Sequence, residues 1–566
     1  MQDLLDKNFG RQNIGAVEMP PYFATALNPA MRLRPYQKSC FQYFFTYWEK
    51  MFEGKEALPH LLFHMATGSG KTFVMAGLML YLYEKGYRNF LFFVGLGNIV
   101  EKTKENFLNP ASSKYLFAPQ IRMGERMVEI RRVDNFQDSN PDCINLCLTT
   151  IQGLYSALNT PRENAMTYDD FKDCSVVLIS DEAHHLNAST KRKGKKWKGG
   201  TKESGLGGFE DAVDWETTAL KIFRMPHSDR LPNVWLEFTA TENLQDPGIA
   251  AKYENKIIFN YPLKNFRLDG FSKDIEVVQR DFQPVERAVQ AIVLSQYKRK
   301  LFVSIGQNIK PVVLLKSRLK KDNKDYYELF VKMVSHLRVE DLQKIRSNAK
   351  GDVAAAFSFF DERGISPDDL LLGLKEDFRE DKLLLVDENE ISPKKQVWLN
   401  TLESPDNEFR AIFAVDMLTE GWDVLNLFDI VRLDETRDGR AGKPGRYTMK
   451  EAQLIGRGAR YMPFSVPGTG LPAGKRKFDS DLQNRLRVLE KLHYHSAQDS
   501  RYVQELREAL VETGAVESHA RELHLYLKEE FKQTELYRKG YVFVNKREPL
   551  GRNEDASLGK ELLSYT

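Results

Sequence analysis

Residues 65–72 read Met-Ala-Thr-Gly-Ser-Gly-Lys-Thr, and the apolar residues 61–65 that lead into them predict a buried strand. Glycines in such a loop let backbone N–H groups approach phosphate oxygens, while the lysine and the final hydroxyl bind phosphate and magnesium. The apolar run 73–83 predicts a helix that ends near Gly86. A strand, a phosphate-binding loop and a helix in this order predict an α/β fold, with an anion at the helix N-terminus.

A second short apolar strand, residues 176–180, leads into Asp181 and Glu182, the start of Asp-Glu-Ala-His-His. Ligands bind at the carboxyl ends of strands in open α/β sheets, so both carboxylates are expected beside the loop. Asp181 would hold magnesium and Glu182 would polarise the attacking water. Two observations leave an alternative open: Met65 stands where such loops usually open with glycine, and an acidic pair can simply begin a helix. Together, however, the two motifs predict nucleoside-triphosphate hydrolysis.

Further motifs follow in the order found in superfamily 2 helicases, which the chain resembles. They are Leu-Arg-Pro-Tyr-Gln at 33–37, Thr-Thr-Ile-Gln at 149–152, Phe-Thr-Ala-Thr at 238–241, and a buried strand ending in Lys-Ser at 311–317. The resemblance implies two RecA-like domains with parallel sheets, an ATP cleft between them, and a mainly helical C-terminal extension.

Two later segments decide the mechanism. Residues 418–424 follow a strand, and residues 453–460 read Gln-Leu-Ile-Gly-Arg-Gly-Ala-Arg on a predicted helix. Arg457 and Arg460 are three positions apart, so both guanidinium groups would leave one helix face and reach a γ-phosphate held by the other domain. Such an arginine contributes roughly 10³ to 10⁵ in rate. Taken alone, the segment would be better explained as a solvated basic helix face, but the other motifs in the expected order argue against that.

The resemblance assigns residues to five roles. The nucleotide-binding set is Gln37 (adenine recognition), Thr67, Gly68, Ser69, Gly70, Lys71, Thr72, Gly421 and Asp423. Magnesium would be held by Thr72 and Asp181. The catalytic set is Lys71, Asp181, Glu182, Gln453, Arg457 and Arg460. Nucleic acid would be contacted by Thr150, Lys316, Ser317 and Thr419, and hydrolysis would be coupled to domain movement by Thr239, Thr241 and His184. The implied cofactors are ATP and Mg²⁺.

The wording of three segments narrows the resemblance to the motor (Res) subunit of type III restriction enzymes over about residues 30–545. These segments are the double histidine at 184–185, Gly-Trp-Asp-Val at 421–424 and Leu-His-Tyr-His-Ser at 492–496. The resemblance implies movement or switching on double-stranded DNA, and a site-specific methyltransferase (Mod-type) partner. A nuclease domain is also usual in such subunits, but no acidic pair here leads a strand with the expected lysine. We therefore expect a motor and assign no cleavage to it.

Two alternatives remain at this point. One is a stand-alone superfamily 2 helicase of DNA repair or phage defence that works without a methyltransferase. The other is a nucleotide-gated DNA-binding module, in which ATP changes the grip on DNA and nothing moves. DNA is favoured over RNA only by the resemblance.

Composition is that of a large folded enzyme: 566 residues, 42% hydrophobic and 28% charged. The N-terminus lacks the apolar core of a signal peptide, and no apolar run approaches the roughly 20 residues that cross a bilayer, so we expect a cytoplasmic protein without membrane contact. Four cysteines without zinc-ligand spacing are expected to be buried thiols. The net charge is only +3, so DNA binding must use local patches. Seven basic residues at 191–202, around Trp197, are either a loop over the DNA path or a solvated insertion.

These landmarks predict the following organisation. The chain would comprise an N-terminal extension (1–28), a first RecA-like domain (29–262) with a basic insertion (190–210), a linker (263–285), a second RecA-like domain (286–470) with a helical insertion (322–400), and a mainly helical extension (471–566). Helix in the last segment is predicted by leucines at 482, 486, 489 and 492, which recur every three or four residues.

Overall fold

The computed structural model describes residues 1–95, 97–112, 114–137, 139–160, 166–181, 211–226, 230–240, 247–386, 392–415, 424–434, 444–516, 534–535 and 537. The chain divides into two compact units, residues 1–517 and 518–566, and every element named below belongs to the first. The predicted basic insertion, 190–210, lies outside the described residues.

The strands run in chain order as follows: β1 His60–Met65, β2 Asn89–Val94, β3 Ile121–Met123, β4 Arg126–Val128, β5 Ile130–Arg132, β6 Ile144–Thr150, β7 Val176–Asp181, β8 Val234–Thr239, β9 Ile257–Tyr261, β10 Asp274–Arg280, β11 Val312–Lys316, β12 Leu383–Leu385, β13 Ala411–Ala414, β14 Leu427–Arg432 and β15 Lys491–Ala497.

The α-helices are α1 Gln2–Phe9, α2 Arg11–Gly15, α3 Phe23–Ala26, α4 Pro35–Glu49, α5 Lys71–Glu84, α6 Gly97–Leu108, α7 Ile151–Asn159, α8 Asp211–Phe223, α9 Pro247–Lys252, α10 Leu263–Leu268, α11 Pro284–Ser304, α12 Lys320–His336, α13 Val339–Ser347, α14 Asp352–Glu362, α15 Pro367–Asp377, α16 Pro393–Asn400, α17 Arg446–Gly458 and α18 Ser500–Glu512. Short 3-10 helices are Tyr168–Phe171, Glu380–Lys382 and Arg485–Glu490.

Seven parallel strands form the first sheet, in the order β5-β6-β2-β7-β8-β1-β9. Its central strands are buried on both faces, which explains their nearly continuous apolar sequences. In β2, for example, Phe90 and Phe92 join one core cluster while Leu91 and Phe93 join another. Helices therefore cover both faces of this sheet.

Six parallel strands form the second sheet, in the order β10-β15-β14-β11-β13-β12. Val313 and Leu315 of β11 face one core cluster, and Val312 and Leu314 face another. The predicted α/β class with two parallel sheets is confirmed. The helix predicted after residues 65–72 is α5, which runs from Lys71 to Glu84 and is followed by Gly86 with φ 103°.

The second sheet draws on more of the chain than residues 286–470. Strand β10 lies inside the predicted linker, and β15 lies inside the region predicted to be mainly helical, whose helical part is confirmed by α18. The leucine spacing misleads because two of its members fall on the 3-10 helix Arg485–Glu490 and the next, Leu492, falls on β15. Alternate side chains of β15 are buried on opposite faces of a sheet, which a helical period cannot provide.

Three other expectations concern the rest of the chain. Helices α12 to α16 occupy the predicted helical insertion, together with the edge strand β12. All four cysteines are free thiols; three are buried and Cys174 is half-buried. Within the described part of the chain, no helix combines the length and the hydrophobicity needed to span a bilayer.

Candidate functional site

The glycine-rich loop lies between the carboxyl end of β1 and the start of α5, as the sequence predicts. Met65 is the last residue of β1, and Gly68 and Gly70 both have φ of 79°. Gly70 is the residue that precedes α5 and adopts the left-handed conformation. Residues with a Cβ rarely adopt this conformation, so the loop requires glycine at both positions.

Helix α4 closes against this loop through Gln37. The side-chain amide of Gln37 donates to the carbonyl oxygen of Ser69 at 2.8 Å, and its own oxygen accepts from the backbone N–H of Arg34 at 2.9 Å. The hydroxyl of Tyr36 donates to the same Ser69 carbonyl at 2.8 Å. A Cβ on Gly70 would lie 2.4 Å from the Gln37 nitrogen. Gln37 thus supports the loop in this structure, and adenine recognition by it stays a prediction.

The side chains of the loop fit a bound phosphate group. Lys71 is only 9% exposed and has no carboxylate partner among the described residues. The hydroxyl of Ser69 is buried without a hydrogen-bond partner in the same described set. A buried cation and a buried hydroxyl both need polar partners. Together with the free N–H groups at the start of α5, they make an anion site. Thr67 and Thr72, on either side, are half-buried.

The predicted metal-binding carboxylate lies at the same edge of the first sheet. Asp181 is the last residue of β7 and pairs with Phe238 of β8, whose next residue, Thr239, pairs with His64 of β1. In the sheet order β7-β8-β1, a single strand, β8, therefore separates the strand of Asp181 from the strand that carries the loop. Glu182, His184 and Thr241 lie outside the described residues, so their roles stay predictions.

Arg460 reaches this edge from the part of the chain that forms the second sheet. Its Cγ and Nε lie 3.1 Å from where a Cβ on Gly68 would stand. Helix α17 ends at Gly458, and Arg460 lies just beyond it, in an isolated β-bridge with Ser272. The expectation that Arg457 and Arg460 leave one helix face is therefore wrong, because the helix ends between them. Arg457 is half-buried on α17, and Gln453 on the same helix is exposed.

Lys102 of α6 is influenced by the charged residues at the carboxyl edge of the first sheet. Burial, and then the positive charges of Arg460 and Lys114, lower the pKa of Lys102 to about 7, while Asp181 acts in the opposite direction. Lys102, Arg460 and Asp181 thus belong to one electrostatic environment at this edge of the sheet. Sequence reasoning missed Lys102, because a lysine on an amphipathic helix is normally solvated.

Lys273 is a second residue that the sequence does not reveal. It is fully buried, and its ammonium donates to the carbonyl oxygens of Arg460 and Leu425, each at 2.6 Å, and more weakly to Gly458 at 3.5 Å. Burial and the neighbouring Lys298 lower the pKa of Lys273 well below its usual value. Carbonyls at the end of a helix attract a cation, so Lys273 fixes the position of the segment that carries Arg460.

Thr150 and Lys316, two of the residues predicted to touch nucleic acid, have partners for their side chains within the chain. Thr150 begins α7, where its hydroxyl accepts from the N–H of Gly153 at 2.9 Å. Lys316, at the end of β11, is buried with its ammonium 3.6 Å from a carboxylate oxygen of Glu451, and Ser317 is also buried. Their contacts with nucleic acid stay predictions. Thr419, Gly421 and Asp423 lie outside the described residues.

Comparison with known families gives two matches. A family model described as "Type III restriction enzyme, res subunit" matches residues 30–244, the part that contains the glycine-rich loop and Asp181. A second family model, described as "N-terminal region", matches residues 447–519, which contain most of α17 and all of β15 and α18.

Two proteins of Haemophilus influenzae are similar to the chain. One, named "Probable type III restriction-modification enzyme HindVIP Res subunit", is 36% identical over 429 residues, which cover 70% of this chain and 83% of that protein. The other is an uncharacterized protein that is 39% identical over 106 residues, 18% of this chain and 23% of that protein.

Solved structures show only distant similarity. A fragment of an HsdR subunit of a type I restriction enzyme from Vibrio vulnificus has a TM-score of 0.41 and 13% identity, and covers 87% of this chain and 69% of its own. Dbp5 of S. cerevisiae bound to RNA and ADP BeF3 has a TM-score of 0.38 and 11% identity, and covers 85% and 92%. The assignment rests instead on the HindVIP relative and on the first family model: the chain belongs to the Res subunit family of type III restriction-modification enzymes.

Proposed function

We propose that the chain is the DNA-stimulated ATPase of a type III restriction enzyme and acts as its translocase or helicase motor. Membership of the Res family supports an ATP-driven motor. The finer statement, that duplex DNA stimulates the hydrolysis, is our proposal. A single observation supports the hydrolysis on which this proposal depends: Arg460, contributed by the second half of the chain, lies against Gly68 of the phosphate loop.

The residues of the cleft have complementary tasks in this proposal. The backbone N–H groups at the start of α5 and the ammonium of Lys71 bind phosphate oxygens, and the Thr72 hydroxyl and Asp181 hold magnesium. Glu182 orients the attacking water. Arg460 stabilises the charge that develops on the transferred phosphoryl group, assisted by Arg457 and Gln453. Bound ATP and Mg²⁺ supply the phosphoanhydride bond and the charge that activates it.

Arg460 also explains why hydrolysis would depend on domain position. The phosphate loop belongs to the first sheet, whereas Arg460 follows α17, which packs on the second. A change in the relative position of the two sheets would bring the arginine to the phosphate or remove it. Duplex DNA that binds both halves of the chain would thereby control the rate. We extend the proposal to a Mod-type methyltransferase partner and to the cytoplasm, where the substrates are found.

ATP hydrolysis by the purified chain tests the proposal. The rate would be measured without nucleic acid, with duplex DNA, and with single-stranded DNA or RNA, alongside Lys71→Ala and Glu182→Gln. We expect duplex DNA to raise the rate and both substitutions to abolish the increase. Hydrolysis that single-stranded nucleic acid stimulates more than duplex DNA would favour a stand-alone helicase. ATP binding without stimulated hydrolysis would indicate a nucleotide-gated binding module.

A further inference from the structure

A buried carboxylate lies in the middle of the helix that leads to Arg460. Glu451 of α17 is fully buried. One of its oxygens accepts from the hydroxyl of Tyr502 at 2.5 Å and the other from the hydroxyl of Tyr494 at 3.1 Å. The two tyrosine hydroxyls are also 2.7 Å apart. Glu451 therefore ties α17 to strand β15 and to helix α18.

Two cations complete this group, which we call the Glu451 cluster: Glu451, Tyr494, Tyr502, Lys316 and Arg432. The Nζ of Lys316 and the Nε of Arg432 lie 3.6 Å and 3.5 Å from one carboxylate oxygen of Glu451. The guanidinium of Arg432 also lies over the ring of Tyr502, 3.6 Å from its centre. Lys316 ends β11 and Arg432 ends β14, so the cluster joins the carboxyl edge of the second sheet to α17.

Stability alone does not account for so many buried polar groups. Hydrophobic residues of similar volume often stabilise such positions as well as a buried ion pair does, because removing charges from water costs several kcal/mol. Burial, followed by the neighbouring Glu451 charge, raises the pKa of Tyr494 well above its usual value, so its hydroxyl keeps the proton that it donates. The cluster fixes one arrangement of five elements that hydrophobic contacts would allow to slide.

Helix α17 connects the Glu451 cluster to the segment that carries Arg460. Helix α17 continues from Glu451 to Gly458, a rise of about 10 Å at 1.5 Å per residue. Beyond Gly458, Lys273 holds the carbonyl of Arg460. A displacement of Lys316 or Arg432 at the sheet edge would thus be transmitted through a rigid helix to the arginine at the phosphate loop.

We propose that Glu451 is a positioning residue that couples the carboxyl edge of the second sheet, at Lys316, to Arg460 at the nucleotide site. The inference rests on the proposed function, because it takes DNA to bind at that edge. DNA bound there would shift the Glu451 cluster and, through α17, set Arg460 against the phosphate loop. Glu451 itself contacts no nucleotide, since its carboxylate is enclosed by Tyr494, Tyr502, Lys316 and Arg432.

Glu451→Gln tests this coupling, since it removes the charge and keeps the shape. We expect it to lower the DNA-stimulated kcat at least about 10-fold, because a misplacement of roughly 1 Å can cost 10²-fold. The KM for ATP should stay within about 2-fold, because the phosphate loop is untouched. Tyr502→Phe removes one hydroxyl and should show a smaller effect with the same split between kcat and KM. Tyr43→Phe is the matched control, because Tyr43 also donates to a carboxylate, Asp6 at 2.6 Å, among α1 and α4.

A double substitution separates positioning from simple loss of stability. If Glu451 acts through Arg460, Glu451→Gln should have no further effect on single-turnover hydrolysis in an Arg460→Ala chain. The inference would be overturned if Glu451→Gln and Arg460→Ala each lowered the rate by the same factor in the double variant as they do alone. It would also be overturned if Tyr43→Phe and Tyr502→Phe lowered kcat equally. If Glu451→Gln does not fold, comparing the kcat and KM of Tyr502→Phe with those of Tyr43→Phe still tests the inference. If duplex DNA does not stimulate ATP hydrolysis by the wild-type chain, the proposed function is wrong. If duplex DNA stimulates the wild type and Glu451→Gln to the same extent, only the coupling is refuted.

Discussion

The two sheets of the chain prepare the nucleotide site in different ways. The first sheet presents a backbone: two glycines with positive φ and the N-terminus of α5 lie at its carboxyl edge. The second sheet presents a side chain, Arg460, and supports it with buried polar side chains such as Lys273 and Glu451. A phosphate cradle needs only the local conformation of a loop, whereas a long side chain needs an oriented support.

Strand β15 shows how much of that support is polar. On one face, His495 lies 3.1 Å from Asp429, which also pairs with Lys298 at 2.8 Å, and His493 lies 2.9 Å from Asp352. On the other face, Tyr494 donates to Glu451. The second sheet thus carries a buried polar network on each face of one strand, while the central strands of the first are mostly apolar.

Removing the arginine should give the largest effect. We expect Arg460→Ala to lower kcat by roughly 10³ to 10⁵, the range for an arginine that stabilises a transferred phosphoryl group. Arg460→Lys should not restore the rate, because an ammonium cannot reproduce the two-pronged geometry of a guanidinium. Steady-state hydrolysis with saturating ATP and duplex DNA measures this.

Arg457 supplies the comparison for that variant. It is half-buried on α17, while Arg460 lies against Gly68. Arg457→Ala should therefore cost less than Arg460→Ala. A larger loss at Arg457 would mean that the hydrolysing state places a different arginine at the phosphate than this structure does.

The backbone of the loop should give the next largest effect. Gly70→Ala would place a Cβ 2.4 Å from the Gln37 nitrogen and impose a left-handed conformation that costs about 1–2 kcal/mol. We expect ATP affinity to fall at least about 10-fold, since 1.4 kcal/mol corresponds to a factor of ten. Equilibrium binding of a fluorescent ATP analogue measures the change.

Gly364→Ala controls for a general loss of stability caused by a left-handed alanine. Gly364 has φ of 66°, but no atom lies within 4 Å of the point where a Cβ would stand, so the substitution carries the conformational cost without the clash. It should lower stability and leave ATP affinity unchanged. Adding Gln37→Ala to Gly70→Ala should recover part of the affinity, unless Gln37 itself recognises the base.

The difference between the sheets also explains what the sequence could predict. The positions of the loop at 65–72 and of Asp181 at the end of β7 could be predicted because each motif lies within one short segment. Lys273 and Glu451 could not be found, because their partners are distant in sequence: Lys273 bonds Arg460, and Glu451 bonds Tyr502. Only the fold brings these residues together.

The end of α17 illustrates the same limit on a smaller scale. The motif at 453–460 predicted that Arg457 and Arg460 share one helix, whereas the structure places Arg460 beyond the end of that helix, against Gly68. Glycine at 458 ends the helix, and Lys273 then captures the freed carbonyls. The helical period of the sequence cannot predict that Lys273, from another segment, binds the carbonyls at the end of the helix.

Acid should weaken the second sheet through His493. Burial and the charge of Lys298 lower the pKa of His493, although its bond to Asp352 opposes the shift. The folded state therefore binds a proton at His493 only at a lower pH than the unfolded chain does, and the unfolded chain binds it as pH falls through about 6.5. The contribution of His493 to the free energy of unfolding is therefore fully present above that pH. It is lost as pH falls further, by at most about 1.4 kcal/mol per pH unit.

Histidine substitutions check the assignment. The free energy of unfolding would be measured by denaturant titration between pH 7.5 and 5.5 for wild type, His493→Gln and His336→Gln. The slope should flatten for His493→Gln and stay unchanged for His336→Gln, because His336 is exposed on α12. Equal slopes for all three proteins would show that His493 titrates as it does in the unfolded chain.

The smallest effect concerns Thr150, where the first sheet has a side-chain support of its own. The Thr150 hydroxyl accepts from Gly153 and caps α7, so Thr150→Ala should destabilise the chain by about 1 kcal/mol, and Thr150→Ser should restore most of it. Denaturant unfolding measures both. DNA affinity distinguishes the helix cap from the predicted contact with the DNA backbone. If Thr150→Ala lowers only the stability, Thr150 acts as a cap alone. If folded Thr150→Ala binds DNA more weakly, the hydroxyl, or the helix end that it caps, also contacts the phosphates. In that case the first sheet, too, would depend on a side chain to present its backbone.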